Sequence, residues 1–264
     1  MKKYLQIFNF GIHDALTYRT RMVIWFLQSA IWISILPFIW LTIYGAEENI
    51  GGYSKAMMIT YFFFVPILES LTVFHNDYKM QADIKEGTIV NFALRPLSYL
   101  WYQYCMEIGY KCIGIFPSII TMIIVYPLLK NIIVLPHISL QLLWLIPIIL
   151  IGGGIGFLIS ALIGLVAFWT TRGEWAMHLW WMILTFVGGF VAPLEFFPPS
   201  IQTIISYTPF PLLIHTPISI VLGTVDTAQL VHQAILGIVW ICVLGSLNSY
   251  LYRRGIRRVE GIGI

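Results

Sequence analysis

Six long apolar segments, separated by short polar ones, mark the chain from end to end. They cover residues 22–44, 56–74, 100–129, 142–169, 175–194 and 229–252. About 20 apolar residues in a helix reach across the hydrocarbon core of a bilayer, so each segment is read as a membrane-spanning helix. Residues 2–20 follow a different pattern. Leu5, Phe8, Ile12 and Leu16 recur at helical spacing, with Lys3, Gln6, Asn9, His13 and Asp14 between them. That pattern predicts an amphipathic helix lying in the membrane interface. Residues 195–223 hold two apolar runs, 201–205 and 212–220, among closely spaced prolines. Both are too short to cross. Broken backbone at membrane depth needs protein or water around it, so the passage is read as a re-entrant hairpin of two short helices.

Composition agrees with this reading. Hydrophobic residues make up 59% of the chain, charged residues 10%, and the mean hydropathy is +0.84. A soluble domain carries roughly 25% charged residues. The expected fold is all-α: a polytopic membrane protein with a single transmembrane domain over residues 1–264. The charges orient it. With both termini inside, Lys2, Lys3, Arg19, Arg21, Lys79, Lys85, Arg95, Arg172, Arg253, Arg254, Arg257 and Arg258 face the cytoplasm, against Lys55 and Lys130 outside. Cytoplasmic loops are enriched in Lys and Arg. Residues 75–98 are therefore placed inside and 195–223 outside. The location is a plasma membrane, of the bacterial inner-membrane type.

Catalytic chemistry has no visible home. The six histidines form neither HExxH nor a metal-binding pair on one helical turn, and no metal site is expected. Ser246 lacks the GxSxG surround of a hydrolase nucleophile. No GxxxxGK[ST] loop is present, so this chain is expected to bind no cofactor. Cys105, Cys112 and Cys242 have no metal or disulfide spacing. The basic RRGIRR segment (253–258), directly after a span, is an orientation signal with some affinity for membrane lipids; no nucleic-acid partner is expected.

Ionisable groups within apolar segments are costly and mark candidate functional positions. Glu69 lies in the inner half of the second span. Glu107 and Lys111 are four apart with the acid first, the favourable order for a helical pair. His178 sits near the start of the fifth span. In the fourth, Gly152, Gly156, Ser160 and Gly164 fall at four-residue steps on one face. Such a stripe admits a closely packed helix, from the same subunit or another.

Two passages carry a resemblance. The first is Glu86-Gly87-Thr88, then apolar residues, then Leu94-Arg95-Pro96. The second runs from Gly188-Gly189 through Pro193, Phe197-Pro198, Ile204, Pro209 and Pro217 to Leu222-Gly223, with Thr208-Pro209 where Asn-Pro is commoner. Together with the order of segments, they resemble the ABC type-2 permeases, membrane subunits of ATP-driven exporters. The resemblance implies a second permease subunit, as homodimer or heterodimer, and separate ABC ATPase subunits that bind ATP and Mg. It also implies a coupling helix near residues 83–92. Its candidate interface is Asp83, Ile84, Lys85, Glu86, Gly87, Thr88, Phe92 and Arg95. The competing reading is a channel or carrier not driven by ATP.

Overall fold

The computed structural model describes residues 2–93, 97–134, 139–170 and 173–260. Helices dominate. In chain order they are α1 (Lys2–Thr17), α2 (Arg19–Tyr44), α3 (Lys55–Thr72), α4 (Asn76–Lys85), α5 (Val90–Ala93), α6 (Tyr99–Leu129), α7 (Leu145–Leu165), α8 (Glu174–Val187), α9 (Pro199–Ser206), α10 (His215–Leu222) and α11 (Thr227–Glu260). Among the described residues five helical stretches are long and apolar enough to cross a membrane: Thr20–Tyr44, Lys55–Lys85, Tyr99–Leu129, Leu140–Phe168 and Thr227–Arg258.

The expected fifth span, 175–194, does not form as one helix. α8 stops at Val187 after 14 residues, about 21 Å of rise against a hydrocarbon core of about 30 Å. The apolar composition continues, but Gly188-Gly189 breaks the backbone. Gly189 adopts φ +84°, and the break is held from two sides. The Tyr61 hydroxyl of α3 donates to the Gly189 carbonyl at 2.6 Å, and the His215 amide donates to the Gly188 carbonyl at 3.2 Å. Downstream, α9 and α10 are eight residues each, in the places where the two short apolar runs lie.

A small hairpin joins α2 to α3. Asn49–Ile50 (β1) pairs antiparallel with Tyr53–Ser54 (β2). Gly51 and Gly52 both have positive φ, 60° and 86°, as a two-residue hairpin turn matched to strand twist requires. Ser54 then caps α3, its hydroxyl accepting from the Met57 amide at 3.2 Å. This ladder is the only strand pair among the described residues.

α3 is the central helix. In its most apolar 18-residue window 72% of residues are buried, against 17–28% in the other four membrane-length helices. Their outward faces carry exposed Phe38, Ile123, Leu128 and Leu150, as lipid-facing surfaces do. α3 sits among α2, α6, α7 and α10. A hydroxyl cluster joins three of them: Ser29 of α2 lies 3.1 Å from Ser118 of α6, which reaches the Pro66 carbonyl of α3 at 3.3 Å.

The α7 stripe seats α3 and its continuation. A Cβ on Gly152 would overlap the Leu212 carbonyl, and one on Gly156 would overlap the Thr72 carbonyl. One on Gly164 would lie 2.6 Å from Met80 Cβ of α4. Ser160 is fully buried and bonds Asp77 of α4. All four residues thus pack within this chain. α1 uses the same device against α6: a Cβ on Gly11 or Gly109 would strike the backbone of the facing helix.

Backbone contact of this kind leaves no room for a methyl group. Gly156→Ala should lower stability by about 1–3 kcal/mol through overpacking. Gly245→Ala in α11, with nothing within 4 Å of the added methyl, should be neutral or gain up to about 1 kcal/mol from helix propensity. Thermal unfolding of both variants in detergent checks the contrast.

Candidate functional site

α4 is a polar helix, with Asp77, Lys79, Gln81 and Asp83 in ten residues. Even so, one of its faces is buried against α7. The Asp77 amide donates to Ser160 Oγ, which in turn donates to Asp77 Oδ1, both at 3.1 Å. Gln81 is buried, its amide reaching the Gly173 carbonyl at 3.4 Å. Asp77 and Gln81 thus find distant partners, which removes most of the cost of burying them, whereas the buried Asn76 Oδ1 has none.

Asp83 is the most connected of these side chains. Its Oδ2 accepts from the Tyr99 hydroxyl at 2.9 Å and from Gln103 Nε2 at 3.1 Å, both on α6. Its Oδ1 accepts from Thr88 Oγ1 at 3.1 Å and pairs with Lys79. The Asp83 carbonyl accepts from the Ile89 amide at 3.0 Å, closing the turn that Gly87 makes at φ +74°. The buried carboxylate therefore joins α4, the following turn and the first turns of α6.

The candidate coupling residues divide between two faces. Asp83 and Ile84 are buried; Lys85, Glu86 and Thr88 are exposed, and Gly87 and Phe92 are half-buried. Phe92 rests on Tyr99 and Tyr102, with ring centroids 4.9 and 4.8 Å apart. Lys85 lies 3.6 Å from Glu174 at the start of α8. Lys85 is partly and Glu174 mostly solvated, so the pair contributes under about 1 kcal/mol. Arg95 lies outside the described residues.

The intramembrane groups gather on a second feature, a half-open cavity of about 740 Å³ between α1, α2, α3 and α6. Glu69, Glu107 and Lys111 line it. Glu69 Oε1 accepts from Gln28 Nε2 of α2 at 3.2 Å. Lys111 donates to the Ser70 carbonyl at 2.8 Å and to the Val73 carbonyl, and lies 4.2 Å from the Phe74 ring centre. The ammonium thus satisfies carbonyls at the end of α3, where a helix leaves them unpaired. His178 is elsewhere, exposed on α8, with Nδ1 2.7 Å from the Glu174 carbonyl.

A third cluster has no counterpart among the sequence-derived positions. At the opposite end of α3, Glu195 accepts from the Tyr53 hydroxyl at 3.2 Å and lies 3.5 Å from His215 Nε2. Burial holds the His215 imidazole below its ordinary range, with Glu195 opposing. Burial likewise raises the Tyr53 phenol, and the Glu195 carboxylate adds to the rise. One acid and one histidine in an otherwise apolar passage are the sequence signal for this cluster. Among the described residues no group of three or more His, Cys, Asp or Glu side chains is arranged to hold a metal.

The chain matches the family model described as ABC-2 family transporter protein over residues 30–263. No curated protein matches it significantly. The family match covers nearly the whole chain and coincides with the membrane-length helices. The chain therefore belongs to the ABC-2 transporter family, as the membrane permease of an ABC transporter.

Proposed function

We propose that this chain is one of two permease subunits enclosing an export path, driven by separate ATPase subunits that dock on the exposed Lys85–Glu86–Thr88 surface. Members of the family normally work with ABC ATPase partners. The observation that carries the reading is the Asp83 junction. An exposed turn that bears charge is joined through one buried carboxylate to Tyr99 and Gln103 of α6. Through Asp77 the same short helix is joined to Ser160 of α7. A push on the turn is delivered to two spans at once, because α4 is too well bonded to yield alone. ATP and Mg belong to the partner chain. In this reading α8 and the irregular backbone after it make the fifth of six crossings, α1 lies in the interface, α9 and α10 are re-entrant from outside, and both termini are cytoplasmic.

Docking and transmission separate by mutation. Lys85→Glu with Glu86→Lys should weaken association with the ATPase encoded beside the gene by about tenfold, as loss of charge complementarity at an interface does. The pair Lys85→Glu with Glu174→Lys restores the internal contact yet should still dock poorly; recovery of docking by that pair would make Lys85 a merely internal residue. Asp83→Asn should keep the ATPase bound but lower transport per ATP hydrolysed. Pull-down, ATPase and vesicle transport assays measure the three quantities. An ATPase that neither binds nor responds to the wild-type chain would leave a channel or carrier not driven by ATP.

Topology has its own test. Single cysteines at Lys130 and Ser200, in a background lacking the native three, should react with an impermeant maleimide added outside intact cells. Reaction only after permeabilisation would invert the assignment.

A further inference from the structure

The cavity between α1, α2, α3 and α6 is a charged chamber at membrane depth, and its charges are unevenly satisfied. On the α3–α6 side two carboxylates, Glu69 and Glu107, act on one ammonium, Lys111. That ammonium is already committed to the Ser70 and Val73 carbonyls. Glu69 holds a single donor, Gln28. Among the described residues no hydrogen bond reaches the Glu107 carboxylate. Glu107 is half-buried and faces the cavity, so a group with several N–H donors and a positive charge entering there would meet two carboxylates that share one ammonium. Near α1 the balance differs. There Arg21 donates to the Tyr110 hydroxyl and stacks 4.6 Å from the Tyr18 ring. Lys79 has its side chain 63% exposed although it pairs with Asp83. Both cations line the chamber and leave N–H groups for an anion, while the Asp14 carboxylate lines the same end beside Tyr110 and offsets one of the two charges. Exposed apolar side chains cover other faces of the same two helices, among them Ile24 and Leu27 on α2 and Phe116 and Ile120 on α6.

We propose that this chamber holds the headgroup of a phospholipid bearing a primary ammonium. The ammonium sits between Glu107 and Glu69, the phosphate near Arg21 and Lys79, and the acyl chains run out along α2 and α6. A volume of about 740 Å³ lies within the ordinary range for small-ligand sites. The missing donors at Glu107 select a primary ammonium, with its three N–H groups, over a trimethylammonium, which has none. The site lies within one subunit and is separate from the exposed turn assigned to the ATPase.

The test uses the full chain in nanodiscs of mixed phosphatidylethanolamine and phosphatidylcholine, with retained lipid counted by native mass spectrometry. Wild type should retain phosphatidylethanolamine selectively. Glu107→Gln removes the charge but not the shape, and should lower that retention about tenfold, the effect of one charge-assisted hydrogen bond. Gly114→Leu fills the chamber from α6, where a new Cβ would lie 3.6 Å from Trp25, and should expel the lipid without touching any charge. Glu174→Gln, outside the chamber, should retain it. Thermal unfolding of each variant confirms that it is folded. A second arm offers dodecylamine in pure phosphatidylcholine discs. Selective phosphatidylethanolamine retention, lost in both chamber variants, supports the assignment whether or not dodecylamine also binds. Equal retention of the two phospholipids, unchanged retention in both chamber variants, or binding of dodecylamine alone would overturn it.

Discussion

The backbone of α3 lies directly on the backbone of α7, and most of the molecule is arranged by that contact. Helices ordinarily pack 8–10 Å apart because side chains keep them there. At Gly156 the side chain is missing and the carbonyl of Thr72, the last residue of α3, occupies the space; at Gly152 the Leu212 carbonyl, from the turn before α10, does the same. The close approach brings the end of α3 to a fixed place on α7. From there the chain has three residues, Val73, Phe74 and His75, before α4 begins. α4 must therefore descend along the same stripe, past Ser160 and Gly164. Lipid gives little hydrophobic drive for helix association, so small residues and interhelical hydrogen bonds carry it. Thr72 supplies a bond to the third partner, the turn before α10, donating to the Leu213 carbonyl at 2.8 Å.

Two consequences follow for function. The polar helix beneath the spans is clamped rather than loosely tethered, since its buried face is bonded to α6 through Asp83 and to α7 through Asp77. Its exposed polar surface lies at Tyr78 and Lys79 and again from Lys85 onward. On the other side of α3 the packing is open. α2, α3 and α6 meet at the serine cluster and then part toward α1, leaving the charged chamber. One helix thus has a rigid side that suits transmission of force and an open side that suits a ligand.

Much of the fold was legible in the sequence, and the misreadings have physical causes. Hydropathy located α2, α3, α6, α7 and α11 because lipid exposure demands long apolar runs. It overextended the fifth segment because it registers transfer free energy and not backbone continuity; the glycine pair at 188–189 ends a helix without any drop in apolarity. The polarity of 76–85 reads as exposure when neighbours in sequence are the only guide. In space Asp77, Gln81 and Asp83 are buried, because Ser160, Gly173, Tyr99 and Gln103 satisfy them from 16 to 92 residues away. The role of the small-residue stripe was legible as close packing, and its partner was not. Glu69, Glu107 and Lys111 stood out as charges in apolar surroundings. Their gathering around one chamber depends on α1 and α2 as well, through Asp14, Arg21 and Gln28, which no local pattern links to them.

The crossing of α1 and α6 bears on how the protein is made. Gly11 and Gly109 touch backbone to backbone, and 98 positions of chain separate them. At a synthesis rate of about 5–20 residues per second, the partner of α1 emerges roughly 5–20 s after α1 itself. Throughout that interval the N-terminal helix has no protein surface on which to bury its small-residue face. In the proposed topology the membrane interface is the environment available to it, and Leu5, Phe10 and Leu16 are exposed. Docking on α6 then completes the wall of the chamber, so the charged interior is enclosed only after the third membrane-length helix has been inserted.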